Sequence, residues 1–192
     1  MNNKFKDDYY RMTGTKFSIV SGIVNIICRH NIRYVLFWRL WNTSPNNLIY
    51  KILCHTISKK YGLEIGNASI GSGLYLGHAF GITVNSEARI GSNVNLHKGV
   101  TIGSENRGGR EGAPTIGNRV YIGVNSTVIG AIHIGDDVLI AANSFVNFDV
   151  PSHSVVVGNP ATIHPKMNAT EGYIGFCVEK DWFRRFNTRR IE

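Results

Sequence analysis

Aliphatic residues recur at every sixth position through the second half of the chain, and this period limits the possible folds more than any other feature. A period of six fits neither the 3.6-residue repeat of an α-helix nor the two-residue alternation of an ordinary strand. It fits the hexapeptide rungs of a parallel β-helix, in which the aliphatic residue points inward. The inward residues of this ladder are Ile116, Ile122, Val128, Ile134, Ile140 and Val146.

The same ladder occurs twice upstream, and three rungs form one triangular coil whose stacking buries an aliphatic column. The inward residues expected there are Ile70, Leu76, Ile82, Ile90, Leu96 and Ile102. The interval from Ile82 to Ile90 exceeds one step by two residues, and the interval from Ile102 to Ile116 exceeds it by eight. The longer excess falls in the polar, Gly-rich segment 103–115, which we expect to project as a loop. Residues 61–166 are therefore predicted to form a mainly β domain of roughly four to five coils.

The two ends of the chain do not carry this repeat. Residues 1–60 are rich in bulky apolar residues with basic interruptions, which predicts an N-terminal helical segment of two or three helices packed on the first coil. Ser44–Pro45 is the expected break between helices. Residues 167–192 are predicted to form a C-terminal tail or a short helix, anchored by Trp182, Phe183 and Phe186.

Basic residues are concentrated at the ends of the chain, whose formal net charge is +8. Residues 1–60 contain ten Lys or Arg and two Asp, whereas residues 61–179 contain more acidic than basic residues. Such asymmetry is typical of proteins that bind anionic lipid or nucleic acid, although an ordinary solvated face has the same composition. We expect no nucleic-acid partner and hypothesise peripheral membrane contact through residues 1–60, with Phe37, Trp38 and Trp41 beside the basic residues.

Several features favour a cytoplasmic protein, located at the inner face of the membrane if that contact forms. The longest charge-free apolar stretch, Phe17–Cys28, has twelve residues, fewer than the roughly 18–20 that span a bilayer. The polar N-terminus has no signal-peptide pattern. Three widely spaced cysteines, Cys28, Cys54 and Cys177, predict reduced thiols.

Five segments of the repeat region carry a family resemblance: GLYLGHAFGITVN, VNLHKGVTIG, APTIGNRVYIG, VLIAANSFV and VVVGNPA. Together they resemble hexapeptide-repeat acyltransferases, namely the serine O-acetyltransferase family and, most closely, its capsular-polysaccharide O-acetyltransferase branch. The resemblance implies a left-handed coil and a homotrimer with each active site in the groove between two β-helices. It also implies acetyl-CoA as co-substrate. No His spacing resembles the metal-binding members of this fold, so no catalytic metal is expected.

The resemblance places the catalytic base at His78, two residues after inward Leu76 and hence at a corner. A neutral imidazole suits removal of a hydroxyl proton at cellular pH. Glu64 is the candidate carboxylate for orienting this histidine, if one residue is deleted within EIGNASIG. His97, one coil further on, is a candidate for substrate contact. An exposed corner histidine and a solvated glutamate are the structural alternatives for His78 and Glu64.

Small residues matching the family's CoA-binding positions would allow the pantetheine arm to lie against the backbone. These positions are Gly103, Ser104, Val124, Ala142, Gly158 and Pro160. Arg119 and Lys166 are the candidate cations for the CoA phosphates.

Three functions compete: O-acetylation of a sugar hydroxyl in a surface polysaccharide or its precursor, serine O-acetylation, and a non-catalytic binding role. In the serine enzymes an Asp precedes the catalytic His, and an Arg-His pair precedes the Pro that ends the loop. This chain has Gly77 and Gly112-Ala113 at those places. A site without these groups is expected to discriminate against a zwitterionic acceptor, so the sequence favours a glycan. The alternative is that Arg107, Arg110 and Glu111 of the loop replace the missing charges.

Overall fold

The computed structural model describes residues 3–178 as four helices followed by a β-helix of five coils. The helices are α1 (Asn3–Thr13), α2 (Ile19–Cys28), α3 (His30–Thr43) and α4 (Leu48–Tyr61). The strands are β1 (Glu64–Ile65), β2 (Ser69–Ile70), β3 (Tyr75–Gly77), β4 (Thr83–Val84), β5 (Arg89–Ile90), β6 (Asn95–His97), β7 (Thr101–Gly103), β8 (Thr115–Ile116), β9 (Val120–Ile122), β10 (Thr127–Ile129), β11 (His133–Ile134), β12 (Val138–Ile140), β13 (Phe145–Val146), β14 (Ser154–Gly158) and β15 (Ala161–Pro165). The predicted parallel β-helix is thereby confirmed.

Three parallel sheets form the faces of a triangular prism. Sheet A has the order β1-β4-β7-β10-β13, sheet B has β2-β5-β8-β11, and sheet C has β3-β6-β9-β12-β14 with β15 added antiparallel. Inward residues stack in register; in sheet C these are Leu76, Leu96, Ile122, Ile140 and Val156, all buried. We name the corners by the sheets that they join, in chain direction, as the AB, BC and CA edges.

One register prediction is wrong, at the corner that carries His78. Val84 is the inward residue of the sheet A rung, because it pairs with Ile102. Ile82 is buried two positions earlier, where most rungs carry a smaller residue, and Phe80 is 48% exposed. The two extra residues therefore lie between Leu76 and Val84, within the His78 corner, and not between Ile82 and Ile90.

The N-terminal segment contains four helices, whereas the sequence predicts two or three. The additional one, α1, is polar in sequence but buries Phe5, Tyr9 and Met12. The chain breaks at Ser44–Pro45 as expected, and α4 begins after Asn47, whose side chain accepts hydrogen bonds from the next backbone N–H groups. Among residues 3–178, no helix is long and apolar enough to cross a membrane. Trp182, Phe183 and Phe186 lie outside the described residues.

Helix α3 covers the first coil, whose outer strand edge has no neighbouring coil to donate hydrogen bonds to its carbonyl groups. Five α3 residues donate side-chain hydrogen bonds to carbonyl groups of the first coil and of the corner that follows it. The pairs are His30 with Ala79, Asn31 with Leu76, Trp38 with Gly66, Arg39 with Ile70 and Gly71, and Asn42 with Ala68. Because a buried carbonyl without a partner is costly, these donors allow the solenoid to begin there.

A buried ion pair attaches α1 to this cap. Arg39 donates to both carboxylate oxygens of Asp8, at 2.7 and 3.0 Å, and both side chains are at most 1% exposed. Asp8 also accepts from the backbone N–H of Leu74 at 2.7 Å. A charged pair this deeply buried is stable only when all its hydrogen-bonding capacity is used, which ties two helices and the first coil together.

Replacing Arg39 by Met should lower the free energy of unfolding by about 3–5 kcal/mol, because Asp8 is then left buried without its cation. Urea unfolding followed by circular dichroism measures the loss. Lys51→Met, at an exposed cation of α4, is the matched control and should change stability by less than about 0.5 kcal/mol. Equal unfolding midpoints for the two variants would contradict the role given to the pair.

Candidate active site

His78 lies on the CA edge at the start of a continuous column of corners. Its side chain is exposed and its φ is 48°. The corners below it are linked by backbone hydrogen bonds: Gly99 N–H to Phe80 O, Asn125 N–H to Lys98 O, and Asn143 N–H to Val124 O. His78 therefore stands at the first-coil end of an edge that runs the length of the solenoid.

Helix α3 holds the His78 corner from the other side. His30 Nε2 lies 3.0 Å from Ala79 O, and Asn31 Nδ2 donates to Leu76 O at 3.3 Å. The His30 ring stacks on the Tyr61 ring with 4.1 Å between centroids, and its centroid lies 4.9 Å from that of the Phe80 ring. Sequence reasoning missed this cluster; the one available signal was Phe80, a large aromatic residue placed beside the two-residue insertion.

His97 lies directly beside the His78 corner, because β6 pairs with β3 so that His97 is opposite Gly77. A Cβ built at residue 77 would lie 2.5 Å from His97 Nδ1, so the histidine ring occupies the space that any side chain at 77 would need. The ring also contacts Tyr121 at 4.6 Å. Within the described residues, the buried Nε2 of His97 has no hydrogen-bond partner.

The protonation of His97 is set by this environment. Burial lowers the pKa of His97, and the neighbouring His78 lowers it further when protonated. The imidazole is therefore neutral near pH 7 and keeps one ring nitrogen available for a hydrogen bond. The pair of histidines offers both a group that can take a proton and a second polar group beside it.

Glu64 lies on sheet A in the first coil, opposite Thr83 of the next coil. Inward Ile65 and Ile70 are five residues apart, so this rung is one residue short, as the deletion within EIGNASIG requires. Among residues 3–178, however, no hydrogen bond or ion pair joins Glu64 to His78. Glu64 instead lines a groove of about 700 Å³ between α4 and the first coil, and its orienting role remains a prediction.

The residues matched to CoA binding fall on all three edges of the prism. Val124, Ala142, Gly158 and Pro160 follow sheet C strands and share the CA edge with His78. At a strand spacing of about 4.8 Å, the four steps from the His78 coil to the Gly158 coil cover roughly 19 Å. Gly103 and Ser104 lie on the AB edge instead, at the base of the projecting loop.

Arg119 and Lys166 lie on the BC edge, away from His78. Arg119 donates to Thr170 Oγ1 at 3.3 Å and lies 3.9 Å from Asp137. The Lys166 backbone N–H donates to His153 O at 2.7 Å. The two candidate cations therefore lie at the opposite edge of sheet C from the Gly158–Pro160 turn, because β15 runs antiparallel to β14 and returns the chain to the BC edge. Their binding of the CoA phosphates remains a prediction. Arg119 instead attaches the C-terminal segment 167–178 to the solenoid.

The loop after β7 is a short hairpin. Glu105 and Gly112 exchange two backbone hydrogen bonds of 2.9 Å, and the tip residues between them are exposed. Lys98, which sequence reasoning did not single out, is an exposed cation on the CA edge one coil below His78. Within the part of the chain that the structure describes, no group of three or more His, Cys, Asp or Glu could hold a metal ion.

Comparison with known proteins finds similarity to hexapeptide transferases and to serine acetyltransferases. Residues 113–147 match the family described as bacterial transferase hexapeptide (six repeats). Serine acetyltransferase 2 of Arabidopsis thaliana is 36% identical over 148 residues, which cover 76% of this chain and 46% of that protein. The chain thus spans about half the length of that relative.

Solved structures agree in fold. The serine acetyltransferase of Brucella abortus strain S19 is 27% identical with a TM-score of 0.69, over 87% of this chain and 68% of that one. A serine acetyltransferase in complex with CoA is 28% identical with a TM-score of 0.64, over 73% of this chain and 60% of that one. These similarities favour the serine acetyltransferase branch over the capsular-polysaccharide branch that the sequence motifs suggested.

The lowered pKa of His97 predicts a specific acid sensitivity. An unfolded His titrates near pH 6.5; below that pH the unfolded state binds a proton that the native His97 resists, so stability falls as pH falls. The loss from this one residue is at most about 1.4 kcal/mol per pH unit. His97→Phe removes the titration and keeps a ring, so its stability should fall less between about pH 7 and about pH 5.

Urea midpoints measured across that range test this expectation. His133→Gln, at an exposed histidine of sheet B, is the matched control and should follow the curve of the unmodified protein. A His97→Phe curve with the same slope as both would show that His97 is protonated equally in the folded and unfolded states.

Proposed function

We propose that this chain is an acetyl-CoA-dependent O-acetyltransferase with His78 as its general base. The observation that carries the proposal is the exposed His78 at the first-coil end of the CA edge, with the small CoA-matched residues of three further corners in line with it. The similarity to serine acetyltransferases, one of them in complex with CoA, supports the same chemistry.

The proposed reaction requires the base to accept one proton and later to release it. Neutral His78 would take the acceptor hydroxyl proton as the oxygen attacks the thioester carbonyl carbon. The tetrahedral oxyanion would be stabilised by N–H donors. Its collapse would break the C–S bond, and the imidazolium would return the proton to the departing CoA thiolate. His30 and Asn31 act as positioning residues, because they hold the backbone on both sides of His78.

We infer a homotrimer from the family resemblance, and the distribution of the site residues supports an active site shared between chains. Gly103, Ser104 and the projecting hairpin lie on the AB edge, one rung, or about 20 Å of chain, from the CA edge. The hairpin and His78 of one chain lie on different edges, whereas the hairpin of a neighbouring copy could close over His78. The groove between two β-helices is therefore the proposed location of the complete active site.

Serine is the acceptor favoured by the relatives, which are named serine acetyltransferases. A sugar hydroxyl is the second candidate, and one observation favours it. The His97 ring fills the space beside Gly77, so the carboxylate that the resemblance places before the catalytic His would require the His97 ring to move. An acceptor without an ammonium group would not need that carboxylate.

Thiol release from acetyl-CoA, measured with the full chain, tests the function. The acceptors are serine and a panel of free, nucleotide-linked and lipid-linked sugars. A kcat/KM for serine near or above about 10⁴ M⁻¹s⁻¹ identifies a serine acetyltransferase. Sugar-dependent release with negligible serine turnover identifies the second candidate. No release with any acceptor would overturn the enzyme proposal in favour of a non-catalytic β-helix.

Replacing His78 by Asn should lower turnover with the best acceptor by about 10²- to 10⁴-fold. Asn accepts a positive φ with little strain, so the corner should keep its conformation. His133→Asn is the matched control and should retain full turnover. If His78→Asn keeps near-normal turnover, His78 is not the base, and the same measurement on His97→Asn would follow.

A further inference from the structure

Helix α2 has its polarity reversed relative to an ordinary surface helix. Its small and polar side faces the protein: Gly22 is buried, Ser21 Oγ accepts from Tyr9 Oη at 3.1 Å, and Asn25 Nδ2 donates to Tyr9 Oη at 2.9 Å. Its aliphatic side faces outward, with each residue between 54% and 76% exposed. This α2 apolar face consists of Ile19, Val20, Ile23, Val24 and Ile27.

The spacing of these five residues places them on one side of a helix, so the exposed area is contiguous. A soluble surface seldom leaves a contiguous aliphatic patch uncovered unless it is a contact site. The hydrogen bonds to Tyr9 fix the rotation of the helix, because turning the aliphatic side inward would break both of them. The α2 apolar face is therefore a built feature of the fold.

The charges around this face indicate what covers it. No Asp or Glu occurs between Asp8 and Glu64, and Asp8 is already paired with Arg39. Lys16 precedes α2 and Arg29 ends it, and both are exposed; Lys51, Lys59 and Lys60 are exposed on α4. A second copy of this chain would bring like charges together, whereas an anionic lipid surface would neutralise them.

We propose that the α2 apolar face docks on the surface of an anionic lipid bilayer. A helix of ten residues is about 15 Å long, half the thickness of the hydrocarbon core, so α2 would lie in the plane of the interface. The aliphatic side chains enter the acyl boundary, and Lys16 and Arg29 reach the headgroups from its two ends.

The aromatic residues that the sequence suggested for this contact are not the ones available. Trp38 is fully buried and donates its indole N–H to Gly66 O at 3.0 Å, and Phe37 and Trp41 pack against the core. Leu48, Ile49, Ile52 and Leu53 of α4 form a second exposed aliphatic patch. Both helices pack on α3, so the contact would join the membrane surface to the helix that holds the His78 corner.

Vesicle flotation with the full chain tests the proposal. The vesicles are phosphatidylcholine alone and phosphatidylcholine mixed with phosphatidylglycerol, each at low and moderate salt. Binding is expected only to the anionic vesicles and should weaken with salt. The double variant Ile23→Gln/Ile27→Gln should lower the partition coefficient about tenfold or more, because two buried aliphatic side chains are lost. Lys16→Gln should lower it about fivefold.

The matched control is Val157→Gln/Met167→Gln, which changes two exposed apolar residues at the last coil of the solenoid and should bind as the unmodified chain does. No flotation with either vesicle overturns the proposal. Equal vesicle binding by Ile23→Gln/Ile27→Gln and by the unmodified chain also overturns it, because another basic segment, such as residues 180–192, must then bind the lipid. The unmodified chain is also examined without vesicles. If it forms an assembly larger than a trimer, and Ile23→Gln/Ile27→Gln abolishes that assembly, the α2 apolar face binds a second copy of the chain and the proposal is overturned. Acetyl transfer to a soluble acceptor, measured without vesicles, should be the same in all variants.

Discussion

The unpaired strand edge of the first coil is the constraint on which the rest of the structure depends. Each later coil hydrogen-bonds to the coil before it, but no coil precedes the first one, so the carbonyl groups on its outer side have no partner within the solenoid. Helix α3 solves this with side chains, since Trp38, Arg39 and Asn42 donate to the carbonyls that a preceding coil would have satisfied. The cost of burying Arg39 is offset by Asp8 of α1, so the polar capping of the solenoid also determines how the helices pack.

The same helix links this capping to the candidate active site. His30 and Asn31, at the start of α3, bind the backbone on either side of His78. Tyr61 and Phe80 complete the support from α4 and from the corner itself. A corner with two extra residues would otherwise be the least constrained part of the coil, because it departs from the regular rung geometry. General-base catalysis requires a fixed distance between base and hydroxyl, which gives this local support a functional reason.

The period of six was sufficient to predict the β-helix, the projecting loop and the corner position of His78, because each depends on spacing alone. It could not assign Ile82 and Val84 correctly, since both are aliphatic and both are buried; the pairing of Val84 with Ile102 shows that Val84 is the inward residue of the rung. It also could not place Arg119 and Lys166. The edge that a residue occupies depends on the number of strands before it and on the antiparallel direction of β15. Matching motifs along the chain provides neither piece of information.

Gly77 and His97 depend on each other sterically, although a sequence comparison treats the two positions separately. Gly77 replaces the Asp of the serine enzymes, and taken alone this reads as the loss of a charge. The His97 ring occupies the space beside it, and partial burial lowers the pKa of His97. By the resemblance, His97 then places a neutral hydrogen-bonding group where the serine enzymes are expected to carry a carboxylate. A neutral partner can bind a hydroxyl but stabilises an ammonium group poorly, because burying a cation without a counter-charge is costly. The proposed choice of acceptor thus depends on the polarity of one position beside His78, in a chain whose overall similarity is to serine acetyltransferases.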